Sequence, residues 1–394
     1  LGVAAKLGAE VTLVSPWADG SPQRAAAMIA YANGEPGSTV ALGLDGDGKD
    51  WGTAGDWAKK RVADGHPAPW GVAMLEVGNE PYLDLAVGPQ ESCGRPGPFK
   101  QDERWVAGAW VPTTAADYAA QLVATAALVR AVDPHIVIGA PAYSSYDGTS
   151  NAAMEPGDVD RTRSGDPWDE RLVASARDAF DVFVLHPYDL GLGHTAVNLG
   201  ARLQKTIADL AALAPDKGFA ITEFGALRGG NTLMNVVLSA DVVRVAIAAS
   251  ARMVLRHVLI EDTADEPFAS AATILGPEHD TTPGYALMQV LATTFSGHAV
   301  PTPEVAPGIE AMASRTSDGS VAVLLLDRRL DASAGATNVS VALPDGSFHG
   351  TVHILSGDSL DATSVTRTDG AVTARGALSL SLPPNGVAVA ALIR

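Results

Sequence analysis

The chain has 394 residues, 47% of them hydrophobic, which is enough apolar material for a large core and about two domains. Lys and Arg total 27 against 45 Asp and Glu, and the resulting formal charge of −18 argues against nucleic acid or an anionic membrane as partner. A single cysteine, Cys93, excludes an intrachain disulfide, and no apolar run reaches the roughly 18 residues of a membrane span.

Strands and helices alternate over the first three quarters of the chain. Short apolar runs bounded by Gly or Pro predict strands buried on both faces; they lie at Val11–Val14, Val72–Val77, Ile136–Ile138, Val182–Leu185, Phe219–Thr222 and His257–Ile260. Periodicity and N-cap chemistry predict helices from Ser21-Pro22 to about Gly34 and at Thr53–Ala63, Ala115–Val132, Asp169–Phe180, Val197–Leu213, Asn235–Leu255 and Tyr285–Phe295. This alternation predicts an α/β domain with a parallel sheet.

The pattern changes after Gly297. Alternating runs follow at Ala311–Ser314, Val321–Leu326, Val339–Leu343, Thr351–Leu355 and Val387–Leu392, separated by Asp-Gly, Pro-Asp-Gly and Pro-Asn-Gly sequences. Such runs and turns are typical of an antiparallel β-sandwich. We therefore predict an α/β domain over residues 1–297 and an all-β domain over residues 298–394.

Two predicted strands end in a glutamate. The run VAMLEV is followed by Gly78, Asn79, Glu80 and Pro81, and the run FAIT is followed by Glu223. In an α/β barrel the carboxyl ends of all strands surround one mouth, so the two carboxyls would meet there. A pair of this kind suits the cleavage of glycosidic bonds, and a separation of about 5–5.5 Å between them would mean retention of configuration.

Further side chains follow the predicted strand ends. His186 and Tyr188 come directly after Val182–Leu185, and Asn79 precedes Glu80. A phenol could keep the nucleophile ionised and oriented, and the amide of Asn79 could bind a sugar 2-hydroxyl. A structural histidine and a packing tyrosine are the alternatives. Together with two glutamates at strand ends, we interpret all three as substrate-binding residues.

Trp17 and Glu261 are lesser candidates. Trp17 follows the first strand and would either stack on a sugar face or pack in the core. Glu261 follows the last predicted strand and would bind a hydroxyl or a neighbouring cation. The His, Cys and acidic residues lack metal-ligand spacing, and no Gly-rich phosphate loop precedes a helix, so we expect neither a metal nor a cofactor.

Three motifs resemble those of clan A retaining glycoside hydrolases: Gly78-Asn79-Glu80-Pro81, His186-Pro187-Tyr188 and Thr222-Glu223-Phe224-Gly225. The stretch from Thr12 to Glu80 is most similar to the α-L-arabinofuranosidases of glycoside hydrolase family 51, and a β-sandwich after the barrel also matches that family. The resemblance implies a (β/α)8 barrel, Glu80 as acid/base on the fourth strand and Glu223 as nucleophile on the seventh. It also implies α-L-arabinofuranosides of hemicellulose or pectin as substrates.

The resemblance is incomplete at two points. The sequence TEFG around Glu223 is closer to family 5 β-glycanases, because family 51 usually has Trp after this glutamate. The family's first two barrel strands have no counterpart, and the sequence starts at Leu1 rather than Met. We therefore expect a missing N-terminal portion, the alternative being a barrel that is completed in an unusual way. A β-glycanase or β-glycosidase (cellulase, xylanase or xylosidase-like) and a non-catalytic carbohydrate-binding relative stay open. The sequence is compatible with a homo-oligomer. It is also compatible with either a secreted or a cytoplasmic location for a soluble chain.

Overall fold

A computed structural model describes residues 1–18, 20–83, 86–87, 99–100, 102–106, 108–143, 167–189, 199–226, 231–257, 259, 274–275, 281–300, 302, 305–329 and 333–394. The described chain forms two compact units. The first contains residues Leu1–Leu185 and Asp209–Ala220, and the second contains His186–Ala208 and Ile221–Arg394. None of the helices in the described part of the chain is long and apolar enough to span a bilayer.

A five-stranded sheet contains the first five predicted strands. Its order is β1-β2-β7-β8-β10, and the pairings β1–β2, β2–β7 and β7–β8 are parallel. The strands are β1 (Val11–Ser15), β2 (Val72–Val77), β7 (Val137–Pro141), β8 (Val182–Leu185) and β10 (Gly218–Ile221). Every residue of β8 is buried and β2 is nearly so, which is why these strands are continuous apolar runs rather than alternating ones.

The described residues of the α/β part also form helices and short strand pairs. The helices are α1 (Gly2–Leu7), α2 (Pro22–Asn33), α3 (Ala54–Ala63), α4 (Ala115–Val132), α5 (Trp168–Ala176), α6 (Leu199–Leu213), α7 (Leu233–Ala248) and α8 (Pro283–Thr294). The short strands are β3 (Ala86–Val87), β4 (Phe99–Lys100), β5 (Glu103–Val106), β6 (Ala109–Pro112), β9 (Tyr188–Asp189) and β11 (Gly225–Ala226).

Side-chain caps explain why several helices begin where the sequence predicts. Ser21 accepts a hydrogen bond from the amide of Arg24 at the start of α2. Thr53 and Thr114 each form a capping box with the aspartate three residues later, at the starts of α3 and α4. These bonds satisfy amides that have no partner within the helix.

The strand predicted at His257–Ile260 is wrong in position. Ile221 of β10 donates its amide hydrogen to Met253 O at 3.0 Å and accepts one from Leu255 N at 2.8 Å. The parallel bridge is therefore between Ile221 and Val254. His257 and Leu259 are described and are not in a strand, and residues 258 and 260 lie outside the described part of the chain.

Six antiparallel strands form the β-sandwich of the second unit. In spatial order they are β12 (His298–Val300), β13 (Ile309–Arg315), β14 (Val321–Asp327), β17 (Val387–Ile393), β15 (Thr337–Ser356) and β16 (Thr366–Leu382). The first half of β15 continues past β17, which pairs with β15 at His349–Leu355 alone. Apolar side chains of that half and of β16 pack against the central strands to form one core, which includes Val339, Leu378, Leu325 and Ala390.

The domain boundary predicted near residue 298 coincides with the start of β12 at His298. It stays a prediction, because the two compact units are divided at other positions along the chain.

Candidate active site

Glu80 lies just after strand β2, in the first unit. Its backbone has φ 44°, one of three positive values among the non-glycine residues that the structure describes. The residue is buried, with 8% of its surface exposed. A positive φ is strained for a residue with a Cβ, and such strain is concentrated at functional positions. Asn79 beside it is half-buried.

The turn that carries Asn79 and Glu80 packs against Trp17. Gly78 has φ 85°, and a Cβ at this position would lie 3.2 Å from Cβ of Trp17. Glycine therefore meets two requirements at once, a left-handed backbone and close packing. Leu83 N closes the turn by donating to Glu80 O at 3.0 Å.

Trp17 itself is 5% exposed and is held on several sides. Its indole Nε1 donates to Thr113 Oγ1 at 3.0 Å, and its ring lies 4.9 Å from that of Tyr118. The Arg104 guanidinium lies 4.8 Å from the indole centroid. These contacts favour core packing, the alternative to sugar stacking; the stacking role of Trp17 stays a prediction.

A chain of aromatic rings continues from Trp17. The Tyr118 and Trp168 rings are 4.9 Å apart, those of Trp168 and Tyr82 are 5.6 Å apart, and those of Tyr82 and Tyr143 are 5.2 Å apart. We call these five residues the aromatic chain. Because Tyr82 is two residues from Glu80, the aromatic chain fixes both sides of the Glu80 turn.

Tyr118 also contacts β2 directly. Its hydroxyl donates a 2.8 Å hydrogen bond to Val77 O, the last residue of the strand. Burial raises the pKa of Tyr118 well above its ordinary value, and the negative charge of Glu76 adds to this. The phenol is therefore a neutral donor at the end of the strand that leads to Glu80.

Glu223 lies after β10, in the second unit, and its side chain is 24% exposed. Tyr188 donates its hydroxyl hydrogen to Glu223 Oε2 at 2.6 Å. His186 Nδ1 lies 3.8 Å from the same oxygen, while His186 Nε2 lies 2.9 Å from Thr222 Oγ1. The structure therefore brings together three of the predicted site residues, namely Glu223, Tyr188 and His186.

The local backbone explains this arrangement. Strands β9 and β11 form a short parallel pair in which Tyr188 is opposite Gly225. The pairing places the segment that contains Tyr188 beside the segment that follows Glu223. The Tyr188 phenol therefore reaches the Glu223 carboxylate. His186, 2% exposed, and Tyr188, 9% exposed, have little freedom to leave this position.

Arg256 and His257 are residues of this cluster that sequence reasoning missed. The Tyr188 and His257 rings lie 6.2 Å apart in an edge-on arrangement, and Arg256 donates to Phe224 O. A basic residue at the end of an apolar run is a weak sequence signal. Because the strand was predicted at His257–Ile260, Arg256 and His257 were not recognised as neighbours of Glu223. The remaining candidate, Glu261, lies outside the described residues.

Solved structures share this architecture over nearly the whole chain. The α-L-arabinofuranosidase from Thermotoga maritima, in complex with arabinose, matches 99% of this chain and 77% of its own with a TM-score of 0.70 and 18% identity. The family 51 α-L-arabinofuranosidase from Thermotoga petrophila RKU-1 matches the same shares with a TM-score of 0.69 and 17% identity.

The chain has the fold of the family 51 α-L-arabinofuranosidases. Its parallel sheet with helices and its antiparallel sheet correspond to the TIM-like domain and β-sandwich of that fold, so the predicted fold class is confirmed. A glucosidase from Croceicoccus marinus also matches 100% of this chain and 80% of its own, with a TM-score of 0.60 and 13% identity. No protein-family model and no curated protein matches the sequence. At such identities the family 51 likeness establishes the fold alone.

Proposed function

We propose that the protein is a retaining glycoside hydrolase that acts as an α-L-arabinofuranosidase. The hydrogen bond of 2.6 Å from Tyr188 to Glu223 carries the proposal. A partly exposed carboxylate that accepts a short hydrogen bond from a buried phenol is held in one orientation, as a nucleophile must be. The family 51 fold supports this assignment.

Glu80 is the proposed acid/base partner. Glu80 and Glu223 follow β2 and β10, two strands of one sheet in which the described pairings are parallel. Because parallel strands bring their carboxyl ends to one edge of a sheet, residues after both strands are suited to act on one substrate. The strained backbone of Glu80 supports a functional role for it.

The reaction is a double displacement. In the first step the Glu223 carboxylate attacks the anomeric carbon, and protonated Glu80 donates its proton to the departing glycosidic oxygen. A covalent glycosyl ester on Glu223 and an ionised Glu80 result. In the second step Glu80 removes a proton from water, the water oxygen attacks the anomeric carbon, and Glu223 leaves as a carboxylate. Asn79 binds the sugar 2-hydroxyl, and His186 and Tyr188 hold the nucleophile.

A β-glycosidase is the second candidate. Phe224 follows the nucleophile where family 51 usually has Trp, and the glucosidase from Croceicoccus marinus shares the fold. A carbohydrate-binding protein without activity would need no phenol bonded to a strand-end glutamate. The first test is therefore whether the protein hydrolyses any glycoside, and the second is which sugar it prefers.

Hydrolysis of aryl glycosides tests the proposal. We expect release of the aryl group from α-L-arabinofuranosides, with weaker or no release from β-xylosides and β-glucosides, and no activity in Glu223→Ala. Glu170→Gln, which changes an exposed carboxylate in the first turn of α5, is the matched control and should retain full activity. Proton NMR of the first product should show retained anomeric configuration. Inversion, or full activity in Glu223→Ala, would refute the mechanism.

A further inference from the structure

The segment Met253–His257 runs beside the segment that carries Glu223. Backbone bonds join Ile221 N to Met253 O at 3.0 Å, Leu255 N to Ile221 O at 2.8 Å and His257 N to Phe224 O at 3.2 Å. Glu223 lies between these bonded residues. The position of its backbone is therefore set by the neighbouring segment.

Arg256 adds side-chain bonds to that backbone pairing. Its Nη1 donates to Phe224 O at 3.1 Å, so both lone pairs of this carbonyl are engaged. Its Nη2 donates to Asn235 Oδ1 at 2.9 Å, and Ser239 Oγ donates to the same oxygen at 3.0 Å. The guanidinium thus connects the residue after the proposed nucleophile to helix α7, and it lies 5.5 Å from the Phe224 ring.

Gly225 leaves the room that the guanidinium occupies. A Cβ at this position would lie 2.7 Å from Arg256 Nη1. Gly225 does not have a positive φ, so an alanine there is compatible with the backbone. The alanine methyl would displace the end of a flexible side chain rather than the backbone.

The environment of Arg256 is poor for a charge. Burial lowers its pKa to about 10, opposed by the nearby Tyr188, so the group is still a cation at neutral pH. Its Nε is shielded from solvent and has no hydrogen-bond partner in the part of the chain that the structure describes. A shielded cation with incomplete hydrogen bonding is weak evidence for a role in stability, so another role for Arg256 is worth testing.

We propose that Arg256 is a positioning residue for Glu223 and for the Tyr188 phenol bonded to it. It clamps the peptide after Glu223 against α7, and its positive charge interacts with Tyr188. This inference rests on the proposed function. The Phe224-Gly225 sequence, which departs from the family pattern, then has a physical role. The Phe224 ring and the space left by Gly225 both adjoin the guanidinium.

Labelling by a 2-deoxy-2-fluoro glycosyl fluoride of the preferred sugar tests the clamp, since covalent trapping needs attack by Glu223. We expect Arg256→Met to slow labelling and kcat by about 10- to 100-fold, the loss expected for a misplaced reacting group, with little change in KM. Arg256→Lys should recover part of the rate. Gly225→Ala should reproduce the effect of Arg256→Met. Arg244→Met is the matched control, because Arg244 is 13% exposed and bonded to Asp241 on α7.

Amide hydrogen exchange gives a second readout that needs no activity. We expect amides of the segment 221–225 to exchange about 10-fold faster in Arg256→Met than in wild type, with no change in Arg244→Met. Wild-type labelling rates in Arg256→Met, or unchanged exchange in this segment, would overturn the inference. If the wild type neither hydrolyses nor is labelled by any glycoside, the proposed function fails, and the exchange result alone decides the role of Arg256.

Discussion

Oη of Tyr188 lies 2.6 Å from Oε2 of Glu223, whereas Nδ1 of His186 lies 3.8 Å from the same oxygen. The phenol is therefore the direct hydrogen-bond donor to the carboxylate, and the imidazole is bonded to Thr222 instead. This difference assigns separate tasks to two side chains that the sequence places two residues apart. Tyr188 orients the carboxylate, and His186 holds the segment before it.

We expect Tyr188→Phe to lower kcat by about 10- to 100-fold, because a hydrogen bond to a charged group contributes about 1.5–3 kcal/mol and each 1.4 kcal/mol is tenfold in rate. The ring packing against His257 should survive the change. Steady-state kinetics on an aryl glycoside measures the effect. A rate equal to that of the wild type would show that the bond does not assist the nucleophile.

Glu80→Ala should affect substrates unequally. Removing the acid slows departure of a poor leaving group, but a leaving group such as dinitrophenolate needs no protonation in the first step. We expect a steep dependence of kcat/KM on leaving-group acidity in this variant and a shallow one in the wild type. An equal loss on every substrate would contradict the acid role of Glu80.

Glu80→Gly should be more stable than Glu80→Ala. Both variants lack the carboxyl group, but at φ 44° alanine keeps the strain that glycine relieves. The expected difference is about 1 kcal/mol in the free energy of unfolding. Urea unfolding of the two purified proteins measures it. Equal stabilities would mean that the turn relaxes to a negative φ once the carboxyl group is gone.

Alkaline pH should weaken the contribution of Tyr118 to stability. Its pKa is raised in the folded protein by burial and by Glu76, so the unfolded chain loses this proton first, near the ordinary value of about 10. The contribution is fully present below that pH and falls as pH rises above it. Tyr118→Phe loses the bond to Val77 O and should be less stable than the wild type by about 1 kcal/mol at pH 8. That deficit should shrink above pH 10; a constant deficit would argue against the raised pKa.

Local chemistry made several elements predictable. The helix predicted at Ala115–Val132 has those bounds in the structure, because Thr114 and Asp117 form a capping box that fixes its start. Strand β2 ends at Val77, before Gly78, as its apolar run predicts, and β10 ends at Ile221, one residue before the predicted end at Thr222. These features depend on neighbours within a few positions, and the sequence shows such neighbours directly.

Features that depend on distant partners were not predictable. The run from Met253 to Ile260 is apolar on both sides of Arg256 and His257, and only the backbone bonds of Ile221 select its first part for pairing. The Pro-Asp-Gly sequence before Ser347 predicts a turn, but strand β15 continues through it with a shift in register. In each case the local sequence is compatible with two structures, and contacts with a distant segment determine which of them forms.

A buried carboxylate in the second unit shows the same limit. Asp327 precedes two arginines in what reads as a solvated turn, yet it is 1% exposed. Arg329 folds back to bind it at 2.6 Å, and Asn385 N donates to it at 3.2 Å across 58 positions. The sequence shows the neighbouring Arg329 as a partner of Asp327, but it does not show the distant Asn385 amide.

The aromatic chain gives the protein an optical property. Two of its seven tryptophans, Trp17 and Trp168, lie within 5 Å of Tyr118 by ring centroid, and Tyr82 follows within 5.6 Å of Trp168. Light absorbed by these phenols is passed to the buried indoles, whose emission depends on how the rings are spaced. The part of the fluorescence that arises by this transfer therefore depends on the spacing of the rings around the segment that bears Glu80.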